Sequence, residues 1–196
     1  MQFDGKVAVT TVASTLLLLL SYYHRLTPVR GLDLTILFLV VPVIIIVVFQ
    51  RENPREYGFA LGDWKAGIII TLIAIALIAP ALWLLARGGT MQSYYGKQVS
   101  GLPWNTLLDL FGWEFLFRGW LTFTYVRKFG PNGLWLQAVP FAIMHITKPE
   151  VETLSTIFGG FAFGWVAWRT RSFLYPFLIH WFVASFTILV AGGALG

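Results

Sequence analysis

The chain has 196 residues, of which 57% are hydrophobic and 12% charged, with a mean hydropathy of +0.73 and a net charge of +5. A soluble domain carries roughly 25% charged residues, so this composition excludes a water-facing globule and fits a chain solvated by lipid. Cysteine is absent, which excludes a disulfide framework, a thiolate metal site and a cysteine nucleophile.

A helix needs about 20 mostly apolar residues to cross the hydrocarbon. Seven candidate spans follow in chain order. The first is Val7–Tyr23. Its Leu16–Leu20 run resembles a secretory h-region, but no A-x-A-like site follows, and Tyr22, Tyr23, His24 and Arg25 read as an interfacial stop. The expectation is an uncleaved anchor. The second span is Leu32–Gln50 and the third Ala66–Ala86, with Pro42 and Pro80 inside them. Membrane helices tolerate such prolines when neighbours satisfy the freed carbonyls. The remaining spans are Trp104–Val126, Asn132–Ile146, Val151–Trp168 and Phe173–Val190. The fifth is short for a full crossing. Two polar linkers interrupt the pattern: Arg51–Lys65, read as an interfacial loop or short surface helix, and Arg87–Pro103. The reading is an all-α polytopic transmembrane bundle of about seven spans, forming one domain over 1–196. Residues 1–103 supply N-terminal spans and interfacial loops, and 104–190 a motif-bearing core.

Lys and Arg counted on alternate loops give eight on the N-terminal side and five on the other. The positive-inside rule then places the N-terminus of this integral membrane protein in the cytoplasm. The basic residues form no stripe, so the charge reads as topology and not as nucleic-acid binding.

Ionisable groups inside a bilayer cost roughly 2.5–3.5 kcal/mol each on insertion scales and point to function. Glu114 and Arg118 stand four apart on the fourth span, one helix face, and can pair. The bland reading of that pair is two charges sharing the cost of burial. Arg118 is a positioner, because its guanidinium does not deprotonate. His145 ends the fifth span and His180 lies deep in the seventh. One carboxylate and two imidazoles on three helices can activate water and stabilise an oxyanion. The same three side chains also fit a zinc triad, and spacing does not separate the two options. Asp109 is expected at an interface or in water, and Glu150 and Glu152 as helix-start acids favoured by the dipole. Trp113, Trp120 and Trp181 read as packing and pocket lining beside the site. Gly159, Gly160 and Gly164 present a small-residue face for close helix packing.

GWEFLFRGWL, FAIMH and HWFVA, in that order on late helices, resemble the CPBP family of glutamate intramembrane proteases. That family includes the CAAX-processing endopeptidases and bacteriocin-processing or self-immunity proteins. Its motifs are written EExxxR, FxxxH and HxxxN. The convincing resemblance covers Thr106 to Thr187. By position Arg118 and Phe117 match the first motif, Phe141 and His145 the second, and His180 heads the third. The resemblance implies an endopeptidase acting on a membrane-associated or hydrophobic peptide, without obligatory zinc or other cofactor. Glu114 would then be the general base, His145 its water-orienting partner and His180 an oxyanion donor. Two positions depart from the pattern. Trp113 takes the place of the first glutamate, the one usually assigned as base, and Ala184 that of the asparagine. Glu114 stands one position along, about 100° round a regular helix. Thr187, two turns beyond His180, can offer a hydroxyl toward the same face. A silent membrane-binding or immunity protein is the alternative. Ion transport is a third class, though its inverted repeats are absent.

Overall fold

The computed structural model describes residues 4–195. Helices occupy all seven expected spans, and no strand occurs among the described residues. They are α1 (Gly5–Tyr23), α2 (Arg30–Phe49), α3 (Trp64–Leu85), α5 (104–129), α6 (Gly133–Ile143), α7 (Glu150–Thr170) and α8 (Leu174–Ala191). A short α4 (Gly89–Tyr95) lies inside the polar linker Arg87–Pro103. The other linker folds into a single 3-10 turn, Pro54–Tyr57.

Among the described residues four helices are long and apolar enough to cross a membrane: α1, α2, α3 and α8. α6 has 11 residues, about 16 Å at 1.5 Å per residue, and falls short of the roughly 30 Å hydrocarbon. α5 is long but carries Asp109, Glu114 and Arg118. Its inner stretch is enclosed: Phe115, Leu116, Phe117 and Trp120 are fully buried, with Phe38, Tyr57, Phe141 and Phe173 in the same cluster. A helix buried on every side can hold charge that a lipid-facing helix cannot. α3 is the opposite case, with little of its surface buried and apolar side chains outward.

Close packing sets this arrangement. A Cβ on Gly112 would stand 2.6 Å from the Leu34 carbonyl, so the glycine lets α5 approach the backbone of α2. The expected small face of α7 meets α6. A Cβ on Gly160 would lie 2.9 Å from the Ala138 side chain, and one on Gly164 2.6 Å from the Gln137 amide. Gln137 Nε2 donates to the Gly160 carbonyl at 2.7 Å and welds the pair. Gly159 faces open space and takes no part.

Regular α geometry fails in two places. α2 widens to π turns at Ile36–Val40 and Ile45–Phe49, flanking Pro42. α5 does so over Phe115–Leu121, directly after Glu114, and the Thr122 hydroxyl donates to the Phe117 carbonyl at 2.8 Å. π turns concentrate at functional sites. This one rotates the second half of α5 relative to the first by about one residue, or ~100°.

Candidate active site

Glu114, Arg118 and His180 form one contiguous group in the bundle interior. The Glu114 Oε1 to His180 Nδ1 distance is 2.7 Å. The other carboxylate oxygen, Oε2, lies 3.4 Å from Arg118 Nε. Both Glu114 and Arg118 are wholly inaccessible, and His180 nearly so. The contact to Arg118 is an ion pair without hydrogen-bond geometry, since Glu114 Oε2 and all three Arg118 nitrogens lack a hydrogen-bond partner. Aromatic faces compensate the guanidinium: its Cζ stands 3.8 Å from the Phe141 ring centre and 5.3 Å from that of Phe163. Such contacts are worth about 2 kcal/mol or more when desolvated. Phe163, on α7, also packs against His180, with ring centroids 5.3 Å apart and the planes tilted by 37°.

His145 lies just past the end of α6, in the turn leading to α7. Its Nδ1 is 2.7 Å from the Phe141 carbonyl. A carbonyl only accepts, so Nδ1 carries the proton and Nε2 of the neutral ring keeps its lone pair. The His145 carbonyl in turn accepts from the Thr153 hydroxyl at 2.5 Å and from Lys148 N at 2.9 Å, which fixes the turn. The Phe141 ring touches both histidines, with centroids 4.6 Å from His145 and 5.8 Å from His180. One residue of the FAIMH motif thus joins the two imidazoles and caps the arginine.

The arrangement differs from the sequence expectation in its pairing. Glu114 was expected to act on water beside His145, but both its oxygens face His180 and Arg118. The indole of Trp113 stands against His145 instead, with ring centroids 6.1 Å apart. It also packs on Phe38, Phe117 and Phe141. The physical reason is angular. Adjacent positions point about 100° apart, so Trp113 fills the His145 side and leaves Glu114 the His180 side. Thr187 is buried on α8, yet among the described residues no contact joins it to Glu114, His145 or His180.

The other residues singled out fall as follows. Asp109 is half-buried, 3.8 Å from Arg30. Glu150 opens α7. Glu152 has a larger part than a helix-start acid: it accepts from Tyr95 at 2.7 Å and from Lys148 at 2.9 Å, tying α4 to α7. Burial and the neighbouring Glu152 push the Tyr95 phenol well above its ordinary range. Phe163 and the Tyr95–Lys148–Glu152 cluster escaped sequence reasoning. The only signal for Phe163 was its place one residue before Gly164 on the small face. For the cluster, it was the four-residue spacing of Lys148 and Glu152. Among the described residues no group of three His, Cys, Asp or Glu side chains is placed to hold a metal ion.

Residues 95–186 match the Rce1-like family model, described as type II CAAX prenyl endopeptidase Rce1-like. The chain carries an Rce1-like core. That core is of the CPBP type, as the three motifs led us to expect, and it spans just under half of the sequence. It encloses Glu114, Arg118, Phe141, His145 and His180, and stops one residue before Thr187. No curated protein and no solved structure matches the chain. The matched family is one of membrane-embedded, CAAX-type intramembrane proteases that act on membrane-associated peptides.

Proposed function

We propose that this protein is an intramembrane endopeptidase that hydrolyses a peptide bond in a membrane-associated or hydrophobic peptide, with water activated by histidine. The observation that carries this reading is the 2.7 Å contact between buried Glu114 and His180. An ionised Glu114 accepts from His180 Nδ1–H, which leaves Nε2 bare, the state His145 reaches through the Phe141 carbonyl. Two bare ring nitrogens beside one aromatic ring would hold a water through its two protons, leaving its lone pair for the scissile carbonyl. His180 Nε2 would take the proton as the C–O bond forms, with Glu114 stabilising the imidazolium. His180 Nε2–H would then donate to the oxyanion and return the proton to the leaving amine as the C–N bond breaks. Glu114 in this account acts through His180. Arg118, 3.4 Å away, holds the carboxylate in place.

A silent membrane-binding protein is the second reading. Trp113 favours it, because an indole occupies the position where the family motif has its first glutamate. The deciding experiment is incubation of the reconstituted protein with a membrane proteome, reading new N-termini by mass spectrometry. Wild type should generate them, and His145→Ala and His180→Ala should not. Capture of a partner without new termini, equal in all three proteins, would establish the binding reading.

A further inference from the structure

A cavity of about 500 Å³ lies at the opposite end of the bundle from the His145 turn. Its walls come from the turn after α2 (Arg55, Glu56), the end of α5 (Phe123, Arg127) and the end of α7 (Trp168, Arg171). All three are ends of long helices on one side of the bundle, the height at which lipid headgroups lie. That side carries eight Lys and Arg against four acids, Asp4, Glu52, Glu56 and Asp63.

The three arginines are not equivalent. Arg127 is held in place. It reaches Glu52 at 3.3 Å, Glu56 at 3.8 Å and the Glu56 carbonyl at 3.1 Å, and it lies over the Tyr57 ring at 4.3 Å. Arg55 and Arg171 are exposed, and neither guanidinium has an ion-pair partner among the described residues. Their backbones are nevertheless fixed. Phe173 N donates to the Gly58 carbonyl at 3.1 Å, and Asp63 N to the Thr170 carbonyl at 2.8 Å. These bonds clamp the turn carrying Arg55 to the turn carrying Arg171. A side chain on Gly62 would strike the Thr170 carbonyl, so the clamp requires glycine there. Arg171 itself sits at φ 58°, a left-handed conformation rarely taken by a long side chain. The result is two exposed guanidiniums without an ion-pair partner among the described residues, carried on a fixed backbone, at a mouth lined by Phe123 and a half-buried Trp168, with Glu56 facing Arg127.

We propose that this cavity binds a phosphate monoester or diester, supplied by the headgroup of an anionic phospholipid whose acyl chains run down the adjacent lipid-facing surface. Arg55 and Arg171 donate to the phosphate oxygens, a geometry guanidinium suits. Trp168 packs against the glycerol region. The volume falls in the usual range of about 300–1,000 Å³ for small-molecule sites.

The test is binding of phosphatidylglycerol to the full-length protein in detergent, read by native mass spectrometry and by the rise in Tm. Phosphatidylcholine, inorganic phosphate and glycerol 1-phosphate form parallel arms. Arg55→Gln and Arg171→Asn, the latter because asparagine tolerates the left-handed backbone, should each weaken phosphatidylglycerol binding by about fivefold, the worth of one basic residue near an anionic headgroup. Lys65→Gln, on the same face but outside the cavity, is the control. The lipid source is supported if the soluble phosphates neither bind nor raise Tm. Equal binding of inorganic phosphate, lost in the same variants, would keep the phosphate site and overturn the lipid. Unchanged phosphatidylglycerol binding in the two arginine variants, or an equal loss in Lys65→Gln, would overturn the site. The lipid-free Tm of each variant separates a lost site from a lost fold.

Discussion

Glu114 and His180, 66 residues apart in sequence, meet at 2.7 Å in the bundle interior while the adjacent Trp113 meets His145 edge-on. Neighbouring residues on one helix thus address two different histidines. The carboxylate that the motif suggested as a free base is engaged on both oxygens.

Removing one partner of that group leaves the other buried and uncompensated. Glu114→Gln strands the Arg118 guanidinium among Phe117, Phe141 and Phe163, and should destabilise by about 3–5 kcal/mol. Glu114→Gln combined with Arg118→Met should recover most of that loss, because no uncompensated charge then remains buried and methionine fills the space of the arginine stem. Chemical or thermal unfolding in detergent reads both. A single variant as stable as wild type would contradict the buried ion pair.

Trp113 and Ala184 are the departures from the family motifs. Trp113→Glu should bury a carboxylate among Phe38, Phe117 and Phe141 beside His145, and lower stability by several kcal/mol. Ala184→Asn, one turn beyond His180, should leave turnover unchanged or raise it by supplying an oxyanion donor. A tenfold fall in kcat for Ala184→Asn in a folded protein would show that the site has been rebuilt around alanine.

The path of the chain was legible because a lipid-facing helix needs an unbroken apolar run, and all seven runs became helices. The fifth stopped at Ile143 because Met144–Thr147 turn, placing His145 outside the helix proper. The helix Gly89–Tyr95 was hidden by its glycines and polar residues, and it forms because Tyr95 finds Glu152 and Lys148. The site residues were visible as ionisable groups in apolar surroundings. Their pairing was not, since it depends on the π turn at Phe115–Leu121, and no periodicity count over GWEFLFRGW reveals a widened turn. Phe163 was one aromatic among many until α7 was seen to carry it over His180.

Asp63 caps α3, accepting from Ala66 N at 3.1 Å, and pairs with Arg169 at 3.0 Å. The Ala66 amide and then Arg169 hold its carboxyl below the ordinary 3.8. A depressed folded-state value gives stability that is present above 3.8 and lost as pH falls through the folded value. Amide exchange in the first turn of α3 should therefore stay protected at pH 5 and open progressively as pH falls below the ordinary 3.8. Asp63→Asn should remove that pH dependence and retain the cap.

Metal independence is also open to measurement. If histidine and Glu114 suffice, turnover should survive prolonged chelation, and the purified protein should hold substoichiometric zinc. Loss of activity on chelation, restored by zinc, would reassign Glu114, His145 and His180 as ligands, with contacts near 2.0–2.2 Å.

The account rests on His180 as the group that takes the proton from water and on Glu114 as its orienting partner. The most direct test is single-turnover cleavage of one identified substrate in H₂¹⁸O, comparing wild type, His180→Ala and the Glu114→Gln/Arg118→Met pair. Wild type should place one ¹⁸O in the new carboxyl terminus. His180→Ala should lose about 10²–10⁴-fold in rate, and the double variant should lose rate while still binding substrate. A folded His180→Ala that cleaves at the wild-type rate would contradict the mechanism.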